Sequence, residues 1–451
     1  MSALSRNISH LSVYRILTST SDDIPDSTSG LLPGEVMVVD RLWNVSNFQY
    51  FKSFDSSDVV RNVRRTSDIQ RQRRLVHVVD CVRIMENNKA EIRKAQKITI
   101  RDLGFIPDET YANYTQNCDT FKHVRGYMGE EVLSDTERNF PIAFSILLYK
   151  DVEQAERLLR AIYRPNNIYC IHVDRSASPM VHQAVRSIAK CFHNVFISSK
   201  LEDVVYSSVS RLQADLNCMA DLLKSKVPWK YFINTPSQHF PLKTNSELVK
   251  ILTIYNGSND IEGITHPDRM YRSRIKYKYV VRNGTIVCTG EEKARPPHNI
   301  TIVKGSAYGV FSRQFVNFTL HNPLSKDLLA YLSDIYSPDE YYWSTLNHDK
   351  VINAPGGYRG VPDKKRFLAV YANWGWGCYG QYVRGICVYG LGDLSELVGR
   401  RELFANKFYY DFQPLALTCM EEWHRNKTFT PLPLPLHYYS RLPFVNRIHI
   451  K

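Results

Sequence analysis

Phe144-Ser145-Ile146-Leu147-Leu148, a helically spaced segment, and then Ile168-Tyr169-Cys170-Ile171-His172-Val173-Asp174: the reading of this run decides the fold. Each apolar run has strand length and carries no polar alternation, the pattern of a strand covered on both faces. Between them, Val152 to Tyr163 sets Ala155, Leu158, Leu159 and Ile162 at helical spacing. Strand, helix and strand in that order predict a parallel βαβ unit. Asp174 closes the second strand, at the end where open α/β sheets hold their ligands.

The pattern continues downstream. Pro179 to Phe192 is helical, Asn194 to Ser198 is a third strand, Ser208 to Leu223 is a long helix, and Trp229 to Asn234 is a further strand. The fold class predicted is α/β, an open sheet with flanking helices. No GxGxxG and no GxxxxGK[ST] occurs, so neither a dinucleotide fingerprint nor a P-loop is available. Upstream, Ser and Asp cluster between Thr18 and Ser29 and a basic run follows from Arg61 to Arg74, so residues 1–75 read as a disordered or stem-like segment. Residues 76–430 form the compact domain. Asn256 to Arg295, basic and Tyr-rich, reads as an irregular excursion from the sheet, and Tyr371 to Cys378 as a Gly- and Trp-rich loop. Pro431-Leu432-Pro433-Leu434-Pro435 opens an extended arm over residues 431–451.

The 451-residue chain carries a net charge of +13, which suits anionic partners such as a phosphate-bearing substrate. Its basic residues form no block interleaved with aromatics and there is no zinc-finger spacing, which argues against nucleic acid. Nine cysteines are spread without a CxxC pair, so they do not read as a metal cluster. Eight N-x-S/T sequons begin at Asn7, Asn44, Asn113, Asn256, Asn283, Asn299, Asn317 and Asn426. Cysteines and sequons together point to the secretory pathway. Against this, the chain holds no apolar run of about 18 residues and no signal-peptide core at its start. A missing first exon, a start at an internal Met, or another route to the lumen would reconcile the two.

The stretch with the most chemistry in it is Ser337-Pro338-Asp339-Glu340-Tyr341-Tyr342-Trp343. Pro338 sets a turn from which a helix can start, with both acids near its positive end. A carboxylate among aromatics that exclude water can serve as a general base. Taken alone, the stretch is also an ordinary acidic first turn.

Its neighbours decide between the two. Phe140 to Ser145, Arg157 to Tyr163, Tyr169 to Asp174, Gln213 to Cys218, Phe240 to Asn245, Gly305 to Tyr308, Ser337 to Trp343, Val383 to Cys387 and Leu403 to Phe408, in this order, resemble the core-2/I-branching β-1,6-N-acetylglucosaminyltransferases, to which peptide xylosyltransferases are distantly related. The resemblance runs from about Cys81 to Cys419.

It implies a GT-A-like nucleotide-sugar domain and an inverting transfer from a UDP-sugar, with GlcNAc the expected sugar, in β-1,6 linkage to a galactosyl/GalNAc O-glycan or glycoprotein. It makes Glu340 the general base. Arg384 and Lys407 neutralise the leaving diphosphate, so that no metal or other cofactor is expected, and no Asp-x-Asp triplet is present. Leu147, Leu148, Tyr149, Asp174 and Tyr206 hold the nucleotide, and Glu262 and Arg274 hold the acceptor. Where the family has a second basic acceptor contact, this chain has Tyr271. The resemblance further implies the disulfides Cys81–Cys419, Cys118–Cys191, Cys170–Cys218 and Cys378–Cys387, with Cys288 free. It also implies residence in the Golgi lumen as a type II membrane protein, and admits a homodimer.

Two departures bear on specificity. Ser237-Gln238-His239 stands where members usually read Gly-Met-Asp, and the loop from Asn373 to Tyr379 differs from the usual sequence. A different UDP-sugar (glucose or xylose), a non-catalytic glycan-binding relative and a cytosolic nucleotide-binding scaffold are the competing readings. Retention of Glu340, Arg384 and Lys407 together argues against a lectin, and four disulfides would exclude the scaffold.

Overall fold

The computed structural model describes residues 74–445, so the stem expected over 1–75 lies almost wholly outside the described residues. The two runs that decide the fold become β1 (Ile142–Leu148) and β2 (Ile168–Val173), every residue of which is buried. They pair in parallel, with Ala143 opposite Ile168. The later strands are β3 (Val195–Ile197), β4 (Tyr231–Pro236), β5 (His239–Pro241), β6 (Asp260–Ile261), β7 (Tyr277–Arg282), β8 (Thr285–Glu292), β9 (Gly309–Ser312), β10 (Val370–Ala372), β11 (Gln381–Val383), β12 (Ile386–Val388) and β13 (Phe404–Asn406). The main sheet has the order β3-β2-β1-β4-β9-β6. Its first four strands are parallel, whereas β9 runs antiparallel to both β4 and β6. The architecture is therefore the expected α/β sheet, with a mixed edge that periodicity does not reveal.

Helices cover both faces. Val152–Ile162 and Pro179–Ala189 pack their apolar stripes into one core with β1 and β2. Val209–Lys224 and Asp339–His348 share a second core on the other side. A small sheet, β10-β13-β5, joins a third core with the helix Pro414–Phe429. Buried charge fixes that last helix. Arg157 bridges Glu153 at 2.7 Å and Glu421 at 3.2 Å, and Arg160 reaches Glu421 at 2.6 Å. A buried guanidinium is tolerated only where carboxylates compensate its lost hydration.

Two expectations are corrected. Residues 256–295 are not irregular: β6 joins the main sheet, and β7 and β8 form an antiparallel ribbon. The ribbon turns at Asn283-Gly284, whose φ values of 49° and 70° are those of a two-residue hairpin turn. Nor is 431–451 wholly an arm. Pro431–Pro435 carries no regular structure, but a helix at Leu436–Ser440 follows, and Tyr439, Leu442 and Phe444 are buried in the first core.

The four disulfides pair as the resemblance implies, and Cys288 on β8 is free and exposed. Since all nine cysteines lie among the described residues, Cys288 is the one thiol expected to alkylate in folded, unreduced protein. Peptide mapping checks this; modification of Cys378 or Cys387 without reductant would contradict the pairing. Among the described residues no helix is long and apolar enough to cross a membrane.

Candidate active site

The site lies at the carboxyl ends of the parallel strands. The carbonyl of Leu147 accepts from the Ser237 amide at 2.9 Å and that of Leu148 from the Asp174 amide at 2.8 Å, which draws the exits of β1, β2 and β4 together. Tyr149 then emerges 55% exposed. Asp174 organises the next loops. Its Oδ1 accepts from the amide and hydroxyl of Ser176 at 2.8 and 2.7 Å, and its Oδ2 from the Val204 amide at 3.2 Å. The carboxylate thus shapes the loop that presents Tyr206, and keeps lone pairs for a further donor.

Tyr206 is 61% exposed and carries the Arg384 guanidinium 4.4 Å from its ring centroid. Arg384 and Gly385 are the turn between β11 and β12, Val383 pairing with Ile386. A two-residue hairpin of this kind needs positive φ at both turn positions. Gly385 supplies it freely at 79°, but Arg384 holds φ at 56°, where a side chain is strained. The Cys378–Cys387 bridge ties β12 to the loop that precedes this hairpin. Lys407 follows β13 and donates to the Val383 carbonyl at 3.4 Å, so its ammonium reaches the base of the same turn. Burial, and then the Arg384 charge, lowers the pKa of Lys407. Among the described residues neither cation has an ion-pair partner. Two like charges this close, one of them on strained backbone, are an arrangement that can receive an anion.

Glu340 belongs to the helix Asp339–His348, of which every other residue is buried. Pro338 sets the entry and Ser337, at φ 54°, turns the chain into it. The Ser337 amide donates to the Ser207 carbonyl at 2.7 Å, which joins the start of this helix to the segment bearing Tyr206. Both cations beside Glu340 contact the same oxygen: Arg274 Nη1 lies 3.1 Å and Lys304 Nζ 3.2 Å from Oε2. Oε1 has no partner among the described residues. Arg274 is held in turn by the rings of Tyr271 and Tyr336, 4.4 and 4.8 Å from its guanidinium carbon. Lys304 also lies over Tyr271, at 5.5 Å.

Glu262 is half-buried within range of the Lys304 charge, and its pKa is raised by burial, against the opposing charges of Lys304 and Lys365. Gly305 lets its backbone lie close against that of Glu262 and against Ser344, because a Cβ there would stand 2.4 Å from the Glu262 carbonyl oxygen and 2.1 Å from Ser344 Oγ. Asp339 is pushed up to about 6, first by burial and then by the charges of Glu340 and Asp215, against the Arg211 guanidinium.

The residues expected at the site therefore gather around two centres. Arg384, Lys407 and Tyr206 form one, and Glu340, Arg274 and Glu262 the other, while Tyr149 and Asp174 stand at the exits of β1 and β2. Lys304 and Arg211 are missed by sequence reasoning; Lys304 directly precedes the Gly305–Tyr308 block, the one signal that could have pointed to it. Tyr271, found where a second acceptor cation was expected, instead packs against Arg274 and Lys304.

An open α/β sheet with paired cations and an oriented carboxylate at its strand ends is an arrangement suited to group transfer. Residues 142–398 match the family model described as Core-2/I-Branching enzyme. The chain is 43% identical, over 68% of its length and 77% of the relative's, to the human N-acetyllactosaminide beta-1,6-N-acetylglucosaminyl-transferase. It is 43% identical to the human beta-1,3-galactosyl-O-glycosyl-glycoprotein beta-1,6-N-acetylglucosaminyltransferase 3, over 71% of this chain and 76% of that one. With the human beta-1,3-galactosyl-O-glycosyl-glycoprotein beta-1,6-N-acetylglucosaminyltransferase the identity is 38%, over 78% and 86%. The chain belongs to the Core-2/I-branching enzyme family and is a glycosyltransferase.

Proposed function

We propose that the protein transfers N-acetylglucosamine from UDP-GlcNAc, with inversion, to form a β-1,6 linkage on a galactosyl or GalNAc residue of an O-glycan, and needs no divalent metal. The observation that carries this is the division of labour at Glu340. Oε2 is anchored by Arg274 and Lys304, while Oε1 is unclaimed among the described residues, and the Ser337–Ser207 hydrogen bond joins this helix to the segment whose Tyr206 carries Arg384. The names of the three relatives support the sugar and the linkage.

In this reading the acceptor hydroxyl gives its proton to Glu340 Oε1 as its oxygen attacks the anomeric carbon. The bond from that carbon to the diphosphate oxygen breaks, and the electron pair leaves with UDP. Arg384 and Lys407 meet the charge developing there, the guanidinium by two parallel hydrogen bonds and the ammonium as a point charge. Arg274 and Lys304, both on Oε2, keep the Glu340 carboxylate aimed before the acceptor arrives. Tyr149, Tyr206 and Asp174 hold the nucleotide at the strand ends, and Glu262 and Arg274 take acceptor hydroxyls. A single base suits one displacement; a double displacement would need a second close carboxylate as nucleophile. Asp339, the neighbouring carboxyl, is buried and within range of the Arg211 charge.

The compartment proposed is the Golgi lumen. Four disulfides support an oxidising environment, as do exposed sequon asparagines at 113, 256, 283, 299 and 317.

The test is a donor screen with Galβ1-3GalNAc in excess EDTA. Transfer from UDP-GlcNAc at the rate seen without chelator, giving a β-1,6 product, is the expected result. A rate abolished by EDTA and restored by Mn²⁺ would remove the two-cation reading. Glycan binding without turnover of any UDP-sugar would favour a lectin.

A further inference from the structure

His239 on β5 is 1% exposed, and neither ring nitrogen has a hydrogen-bond partner among the described residues. A buried polar atom left without a partner is costly and calls for an explanation. Arg211 stands near enough for its charge to act on the ring, and its Nη2 is likewise unpartnered.

Arg211 is not loose. Its Nη1 donates to Asp215 Oδ2 at 2.7 Å. Asp215 also accepts from Ser145 Oγ on β1 and from Asn234 Nδ2 on β4, each at 2.9 Å. Asn234 is tied in turn to the Ala307 carbonyl and the Gly309 amide, both at 2.9 Å. The guanidinium is thus seated on the middle of the main sheet, with one nitrogen left over. Tyr308 completes the group, its ring edge-on to His239 at 4.5 Å and 5.6 Å from the Arg211 guanidinium carbon.

This group sits between the two centres of the site. His239 is paired with Asn406, the residue before Lys407. On the other side, the Arg211 charge acts on Asp339, the neighbour of Glu340, and the Gly305 amide at the head of the loop carrying Tyr308 donates to the Glu340 carbonyl at 2.7 Å. Between a diphosphate clamp and a catalytic base stands the sugar being transferred.

We propose that His239 and Arg211 form the floor of the donor-sugar subsite, where a hydroxyl or acetamide group of the transferred sugar takes the unused N–H of Arg211 and one ring nitrogen of His239. The inference rests on the donor reading above. Burial, and then the Arg211 charge, holds the imidazole neutral, so one nitrogen accepts while the other donates. A site with fixed polar atoms rejects donors that leave those atoms unpaired. His239 is then a specificity-determining residue for the donor sugar.

Calorimetric titration of UDP, UDP-GlcNAc and UDP-glucose, without acceptor, tests this on the wild type, His239→Phe and His239→Gln. The Phe variant keeps the ring against Tyr308 and removes both nitrogens, so its melting temperature is expected to hold or rise. The wild type is expected to bind at least one of the UDP-sugars more tightly than UDP. His239→Phe should bind UDP as the wild type does but lose about 10-fold on that sugar, the loss expected of an unmade buried hydrogen bond. His239→Gln should recover part of it. An unchanged sugar increment in a folded His239→Phe, or no increment in the wild type, overturns the proposal. A wild type that binds neither UDP nor any UDP-sugar overturns the donor reading itself, and this inference with it.

Discussion

Glu340→Gln is expected to lower turnover by about 100-fold or more, the scale of a lost general base, with the donor-binding constant unchanged. The substitution keeps the shape of the side chain, and an amide oxygen in place of Oε2 still accepts from Arg274 and Lys304. What disappears is the basic Oε1 that would receive the acceptor's proton. Because Glu340 is the one residue of its helix that is not buried, the exchange leaves the aromatic core beneath it intact. The melting temperature should therefore move little, since part-exposed ion pairs contribute little net stability. Steady-state kinetics with saturating UDP-GlcNAc, together with UDP titration of the variant, decide the matter. Near-normal kcat would remove Glu340 from the chemistry. A comparable fall in UDP affinity would show that Glu340 positions the donor instead.

How much of this site is legible in the sequence depends on the range of the signal. β1, β2 and the helices around them declare themselves through continuous apolar runs and helical spacing, because each buries its own face. β9 and β6 do not, since four and two residues are too few for any period to register. The β7–β8 ribbon carried a readable cue in Asn283-Gly284 flanked by β-branched residues, outweighed by the charge and tyrosine around it. Glu340, Arg384 and Lys407 emerge from ordered blocks that resemble a family, not from any local rule. Lys304 and Arg211 could not emerge that way. Lys304 meets Glu340, and the Arg211 charge acts on Asp339, only through the tertiary fold, which no sequence spacing encodes. Asp174 is the intermediate case: its strand-end position is legible, but its service to Ser176 and Val204 is visible only once the loops are folded.

Arg384→Gly separates structure from function at the hairpin turn, because the two should move differently. As a structural element, Arg384 is a poor choice: a side chain at φ 56° costs on the order of 1 kcal/mol or more, and glycine would relieve it. Glycine also gains freedom in the unfolded chain, which offsets roughly the same amount. Removing the guanidinium further relaxes Lys407, whose ammonium that charge disfavours. The melting temperature of the variant should therefore stay near the wild-type value. As the phosphate ligand proposed above, by contrast, Arg384 would supply charge-assisted hydrogen bonds that strengthen as the diphosphate leaves. Its loss should cost roughly 100- to 1,000-fold in kcat/KM for the UDP-sugar, the effect of removing one preorganised group from a developing anion. Lysine at the same position should recover only part of this, having charge but no planar fork. Thermal denaturation and donor kinetics on the same preparation make the comparison. A variant that melts far earlier and loses activity in proportion would assign Arg384 to the fold, and one that keeps both would leave the leaving group without its guanidinium.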